Sequence, residues 1–312
     1  MGIDDNPAFR SLNQEHVHEG NRQLSTGLRS AIFNTLAIAA ALLSVASVGA
    51  TESATEAHAV PFIEVTKSSL PDHGWAQKVC QLAATSCSAS GPQDDAGKMP
   101  TLYRLKGDTS SNYYAILPGP TLLKMSLVSG TAWKILQKWD FSDYQPKDRE
   151  TGDGEAPPLA LYPALYPLGS DRYAVAVLAG WSESYSGGGG GWENADFVEL
   201  APNGGHAGAT RVEKLPFSCN KSIRACFSEN DYRHSPHCSE DFDGSLRLRF
   251  VPGASVGKLD WIATWKETHW PELKPKSTVE HKSVSVTLPA GQDPALAGDS
   301  LRNRVSFCEP TN

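Results

Sequence analysis

The strongest constraint on the fold is a two-residue alternation of apolar and polar side chains that recurs along the chain. Ser283-Val284-Ser285-Val286-Thr287-Leu288 and Ser245-Leu246-Arg247-Leu248-Arg249-Phe250 alternate without a break. Successive side chains of a strand point to opposite faces, so this pattern gives one buried and one solvated face. Tyr173-Ala174-Val175-Ala176-Val177-Leu178 has no polar partner positions. A strand of that kind belongs at the centre of a sheet, covered on both faces. Further strands are expected at 102–105, 113–117, 122–128, 132–139, 196–200, 211–217 and 259–265. The gaps are rich in turn residues, with Asp243-Gly244 and Asn203-Gly204 as turn signals. About ten short strands so spaced predict a mostly β, antiparallel sandwich or barrel.

Helix signals are few. Trp75, Val79 and Leu82 fall on one helical face, with Asp72 as a cap, and predict a short helix over 73–84. Asp293-Pro294 opens a second, with Asp at the cap and Pro in the first turn. Segment 145–158 (QPKDRETGDGEAPP) has no large apolar residue and reads as a long exposed loop, with a domain linker as the alternative. Segments 102–119 and 165–180 echo each other as Leu-Tyr-x-Leu, a polar turn and Tyr-Ala-aliphatic. Repeated hairpins or propeller blades are the alternative fold that this echo allows.

Residues 31–50 form an apolar run without charge, preceded by Arg22 and Arg29 and closed by small residues. That is the layout of a secretory signal, with removal expected after Ala50 or, as the alternative, after Ala59. The rival is an uncleaved anchor, disfavoured by Asn34 and the several Ser and Thr within the run. Residues 51–312 would then form one β-rich exported domain, periplasmic or secreted, without a stable membrane anchor. All six cysteines, Cys80, Cys87, Cys219, Cys226, Cys238 and Cys308, lie downstream of the run, as disulfides in an oxidising compartment require. Proximity favours Cys219–Cys226. Cys80–Cys87 is possible where the first helix ends near Ala84, which leaves Cys238–Cys308. Of 35 acids and 28 bases, four and three precede Thr51, leaving 31 and 25, a net of −6. A nucleic-acid partner would want a basic face, so none is expected.

The run Gly187-Gly188-Gly189-Gly190-Gly191 is followed by Trp192-Glu193-Asn194, with no Lys and no helical pattern. A phosphate cradle needs a helix N-terminus there, so the run reads as a loop between strands. Trp181, Tyr185 and Trp192 flank it and are the candidate ligand-binding residues, because aromatic rings beside a polar loop suit a glycan or a protein surface. Gly180-Trp181-Ser182-Glu183-Ser184 approaches a nucleophile elbow, yet lacks the helix that an elbow needs. Asp231, His234, His237, Glu240, Asp241 and Asp243 crowd one segment, but Pro236 and Cys238 interrupt the spacing of a metal site. Trp261 and Trp265 share strand parity and read as core, with a sugar platform as the alternative. Asp260 and Glu267 are one possible carboxylate pair, and Asn220-Lys221-Ser222 is a glycosylation sequon.

These features predict an exported, disulfide-stabilised binding or cell-envelope-associated protein, with no catalytic motif, cofactor or metal site. An extracytoplasmic hydrolase acting on carbohydrate is the alternative, and a metal-binding protein the third reading.

Overall fold

The computed structural model describes residues 57–66, 74–85, 87, 99–128, 130, 132–146 and 158–308. The expected signal segment, the expected cap Asp72 and most of the expected loop 145–158 lie outside the described residues. Among the described residues, fourteen strands form one sheet. They are β1 (Val60–Glu64), β2 (Thr101–Leu105), β3 (Asn112–Leu117), β4 (Thr121–Val128), β5 (Ala132–Asp140), β6 (Ala160–Leu161) and β7 (Ala164–Gly169), followed by β8 (Arg172–Tyr185), β9 (Gly188–Glu199), β10 (Gly205–His206), β11 (Thr210–Arg224), β12 (Ser239–Pro252), β13 (Leu259–Trp270) and β14 (Glu280–Leu288). The helices are α1 (Trp75–Leu82), α2 (Glu229–His234) and α3 (Pro294–Arg302).

The strand order is β10-β5-β4-β3-β2-β1-β7-β8-β9-β11-β12-β13-β14, with β6 beside β8. Neighbours pair antiparallel, except that β10 runs parallel to β5. The fold is thus mostly β and antiparallel, as expected, but the sheet has two ends and does not close into a barrel. The two echoing segments are the β2–β3 and β7–β8 hairpins of this one sheet, so a propeller is not needed. Five strands are long: β8, β9, β11, β12 and β13 run 14, 12, 15, 14 and 12 residues. Their distal halves lack apolar alternation. They stay extended because the strands on either side supply hydrogen-bond partners, so tertiary context overrides local preference.

β8 is central and covered on both faces. Val175 and Val177 join a cluster with Phe62, Tyr114, Leu122 and Trp139 of the β1–β5 half. Ala174, Ala176 and Leu178 face the other way, onto Phe197, Leu215, Phe250, Trp261 and Trp265. The β1–β5 half repeats this economy. Tyr114 and Leu122 point to the shared cluster, while Ala115 and Leu123 pack under Trp75 and Val79 of α1. Leu82, expected on the buried face of α1, is 52% exposed. Trp261 and Trp265 are core rings, 0% and 1% exposed. Each removes about 200 Å² from water, about 5 kcal/mol gross at 25 cal/mol/Å².

Asp293 caps α3, accepting from the backbone N–H of Ala295 and Leu296 at 3.0 and 3.3 Å. Asn203-Gly204 forms its expected turn, with Gly204 at φ +78 and its N–H on the Ala201 carbonyl at 3.0 Å. Asp243-Gly244 does not. Both residues lie inside β12, and Gly244 is small for packing reasons: a Cβ there would meet Trp265 Cζ2 at 2.2 Å and Cys219 Sγ at 2.6 Å.

All six cysteines are paired: Cys80–Cys87, Cys219–Cys308 and Cys226–Cys238. The first matches expectation, because α1 stops at Leu82 and lets the Cα atoms approach to 5.9 Å. The expected Cys219–Cys226 and Cys238–Cys308 bridges are wrong. β11 stays extended through Arg224, and the five strand residues after Cys219 span about 17 Å, far beyond a disulfide's reach. Cys219 instead takes Cys308 in the core, and Cys226 closes a loop of its own with Cys238.

Candidate functional site

The distal halves of β8, β9, β11, β12 and β13 form a five-stranded ribbon whose register places side chains in rows. Trp181, Trp192, Cys219 and Gly244 share one row. The next rows are Ser182, Gly191, Asn220, Asp243 and Thr268, then Glu183, Gly190, Lys221, Phe242 and His269. They end with Ser184, Gly189, Ser222, Asp241 and Trp270, then Tyr185, Gly188, Ile223 and Glu240. Alternate rows face opposite sides.

The five glycines are therefore not the loop that the sequence suggested. Ser186 and Gly187 make the turn, and Gly188–Gly191 form an interior strand paired on both sides. Gly188 sits at φ +150, where a Cβ would lie 2.1 Å from the Ser222 carbonyl oxygen. The bare strand leaves a strip between β8 and β11 that is two strand spacings, about 10 Å, across.

On one face stand the expected ligand residues. Trp181 and Trp192 are directly opposed and stacked, with centroids 4.9 Å apart at 27°. Both rings are half-buried. Trp192 packs against the main core and donates from Nε1 to the Phe307 carbonyl at 3.0 Å. Tyr185 is 49% exposed at the end of β8. Its ring lies 3.6 Å from where a Gly187 side chain would begin. Trp181 and Tyr185 share a face, and Trp192 forms the floor under the first.

The opposite face is lined by hydroxyls and acids. Asp241 accepts from Ser222 Oγ at 2.6 Å and Ser239 Oγ at 2.9 Å, and meets His237 Nε2 at 3.0 Å. The His237 ring lies flat on Trp270, 3.6 Å away at 4°. Asp243 is exposed on β12, and partial desolvation with Asp241 beside it raises its carboxyl from its ordinary value. Ser239 and Asp241 both address the same nitrogen of His237, Nε2. A nucleophile relay needs the acid on the other ring nitrogen, so this trio is not a catalytic triad.

Other expected groupings do not form. His234 lies on α2 and takes the Asn230 carbonyl at 2.9 Å, away from the Asp241 network of His237. Among the described residues, no group of three or more His, Cys, Asp or Glu is arranged to hold a metal. Asp260 and Glu267 are seven residues apart on β13, about 23 Å, too far to flank one glycosidic bond. Glu267 is 5% exposed and accepts from Trp265 Nε1 at 2.9 Å and from Ser306 Oγ. Ser182 stands exposed in a strand, with no elbow. Asn220 is exposed on β11, between Gly191 and Asp243.

The sequence reading missed α2. Ser228 and Asp231 form a capping box: Ser228 Oγ accepts the Asp231 N–H at 3.1 Å, and the Asp231 carboxylate accepts the Ser228 N–H at 2.9 Å. The Ser228 and Phe227 N–H groups and the Ser228 hydroxyl hold the Asp231 carboxyl below its usual range. Ser-x-x-Asp was the legible signal. The Cys226–Cys238 bridge closes this loop, and the Arg224 N–H bonds the Gly187 carbonyl at 2.7 Å. The disulfide loop and the β8–β9 turn thus lie side by side at the ribbon's tip.

No protein-family model matches this chain, and no curated protein or solved structure is significantly similar to it.

Proposed function

We propose that this chain is an exported, disulfide-stabilised binding protein that takes its ligand at the tip of the long ribbon, on Trp181, Tyr185 and Trp192. The carrying observation is the Trp181–Trp192 stack beside a bare glycine strand. Trp192 is fixed from below by the core and by its bond to Phe307, so Trp181 is a pre-positioned flat ring and not a mobile one. Rigid aromatic surface of this kind supplies contact area at low entropic cost. Screening the protein on a glycan array and against displayed peptides tests the reading. Trp181→Ala should weaken a ligand so found at least tenfold while the chain stays folded. A ligand indifferent to Trp181 and Tyr185 would refute it.

Export is supported by the disulfides. The three disulfides suit an oxidising compartment. Among the described residues no helix is long and apolar enough to cross a membrane. Removal after Ala50 is favoured over removal after Ala59. Ala57 forms a bridge with Phe250, and both Ala57 and Ala59 pack on the core. Sequencing the N-terminus of the exported protein should read from Thr51.

A second reading, a hydrolase acting on carbohydrate, rests on the opposite face. Asp241 and Asp243 are two residues apart on one side of β12, about 7 Å along the strand, within the range that flanks a glycosidic bond. Their environments differ, since Asp241 is hydrogen-bonded by two serines while desolvation and the neighbouring Asp241 raise the Asp243 carboxyl. Release of reducing sugar that is abolished in Asp243→Asn would replace the binding reading with this one.

A further inference from the structure

The tip carries a cation that is fixed in place and unpaired. Arg224 ends β11 and is exposed. Its Nε donates to the Cys226 carbonyl at 2.8 Å, and its guanidinium lies over the rings of Phe227 and Tyr232, 5.5 and 5.8 Å from their centroids. Among the described residues, no carboxylate forms an ion pair with it. The nearby acids are engaged elsewhere: Glu229 pairs with Arg233, and Asp231 serves the capping box.

The two rings are the second observation. Phe227 is 73% exposed and Tyr232 53% exposed. Both sit on a loop made rigid by the Cys226–Cys238 bridge and the capping box, and the Arg224 N–H ties that loop to the β8–β9 turn at the Gly187 carbonyl. An exposed arginine ordinarily surrenders rotamer freedom when it binds. Here the Nε bond and the two rings have already removed much of it. A guanidinium held this way presents its outer N–H groups in a fork that matches a carboxylate. The apolar ring of Phe227 beside it packs well against an aliphatic or aromatic side chain next to that carboxylate. Arg with Tyr and Phe is also the composition of binding hot spots.

We infer that Arg224, Phe227 and Tyr232 form a clamp for an acidic polypeptide segment, one in which a carboxylate stands next to an apolar side chain. This deepens the reading of the tip as a binding surface and rests on it. The carboxylate takes the outer edge of Arg224, and the adjacent apolar side chain lies on Phe227 and Tyr232. Arg224 pairs with Ser239 and shares the face of Ser222 and Asp241, so the clamp is a second surface of the tip, opposite in register to Trp181 and Tyr185.

The test uses the intact exported chain and three probes: an acetylated peptide repeating Glu-Leu-Glu-Phe, its Gln-for-Glu twin, and polygalacturonate. Calorimetry and fluorescence anisotropy should show the acidic peptide binding at least tenfold tighter than its Gln twin. Arg224→Gln should remove that preference, and Arg224→Lys should not restore it, because a point charge lacks the fork. Phe227→Ala should weaken the peptide while keeping the preference for Glu over Gln. The melting temperature of each variant, expected unchanged, separates lost contacts from lost folding. Polygalacturonate bound through Arg224, with the peptides unbound, would overturn the polypeptide assignment and leave the binding tip standing. Binding of any probe that is indifferent to Arg224 but lost with Trp181→Ala would overturn the clamp alone. Absence of binding to all three probes would overturn it as well.

Discussion

Trp181 and Trp192 occupy opposed positions on β8 and β9, and their rings stack 4.9 Å apart at 27°. The two are unequal. Trp192 faces the core and is tied to the Phe307 carbonyl, whereas Trp181 covers it from outside. Trp192→Ala should therefore cost about 3 kcal/mol, within the range for truncating a buried aromatic. Trp181→Ala should cost about 1 kcal/mol, the worth of an aromatic pair. Urea denaturation of both variants checks the order.

The disulfides should differ in strength in the order of the loops they close. Cys219–Cys308 spans 89 residues, against 12 for Cys226–Cys238 and 7 for Cys80–Cys87. The chain-entropy model gives roughly 4–5 kcal/mol for the first and roughly 2–3 kcal/mol for the others. Paired Cys→Ser variants, compared in denaturant under oxidising conditions, should show that order. Non-reducing peptide maps should find Cys219 with Cys308.

Asp196 makes stability depend on pH in the direction opposite to most acids. It is 4% exposed, accepts the Lys214 N–H at 2.7 Å and the Tyr144 hydroxyl at 2.8 Å, and its carboxyl is raised above 3.8 by burial. The folded chain then holds this proton to higher pH than the unfolded chain. Its contribution is full below the unfolded value and declines as pH rises through it towards the folded pKa. Asp196→Asn should flatten that decline, measured as the wild-type minus variant difference in unfolding free energy from pH 3 upward. Asp196→Ala should cost about 1–3 kcal/mol at low pH, by removing the acceptor of the Lys214 N–H and the Tyr144 hydroxyl, and less as pH rises.

Gly244 should not tolerate a methyl group. A Cβ would fall within 2.6 Å of both the Trp265 ring and the Cys219 sulfur, neither of which has room to move. Gly244→Ala should cost about 2–3 kcal/mol, as overpacking does. Gly187→Ala, whose Cβ would meet only the Tyr185 ring at 3.6 Å, should be nearly neutral. Thermal melts of the pair decide whether this glycine is a packing residue and not a turn.

The sequence by itself determined the class of the fold. Alternation at 245–250 and 283–288 marked strands with one solvated face, and the unbroken apolar run at 173–178 marked the central strand that β8 proved to be. Those signals are local, because side-chain period follows from backbone geometry alone. It also marked the start of α3, whose cap and proline are written side by side. What only the tertiary structure decided were the features that depend on neighbours distant in sequence. Five consecutive glycines read as a loop, yet β8 and β11 hold them extended by supplying hydrogen bonds that no local pattern announces. Cys219 and Cys226 seemed near until β11 ran straight between them, so the cysteine 89 residues away was the one within reach. Arg224, Phe227 and Tyr232 became a cluster only because the Cys226–Cys238 bridge folds their loop back on the end of β11. Distances along the chain set local conformation, whereas proximity in space is set by which strands pair and which surfaces are buried together.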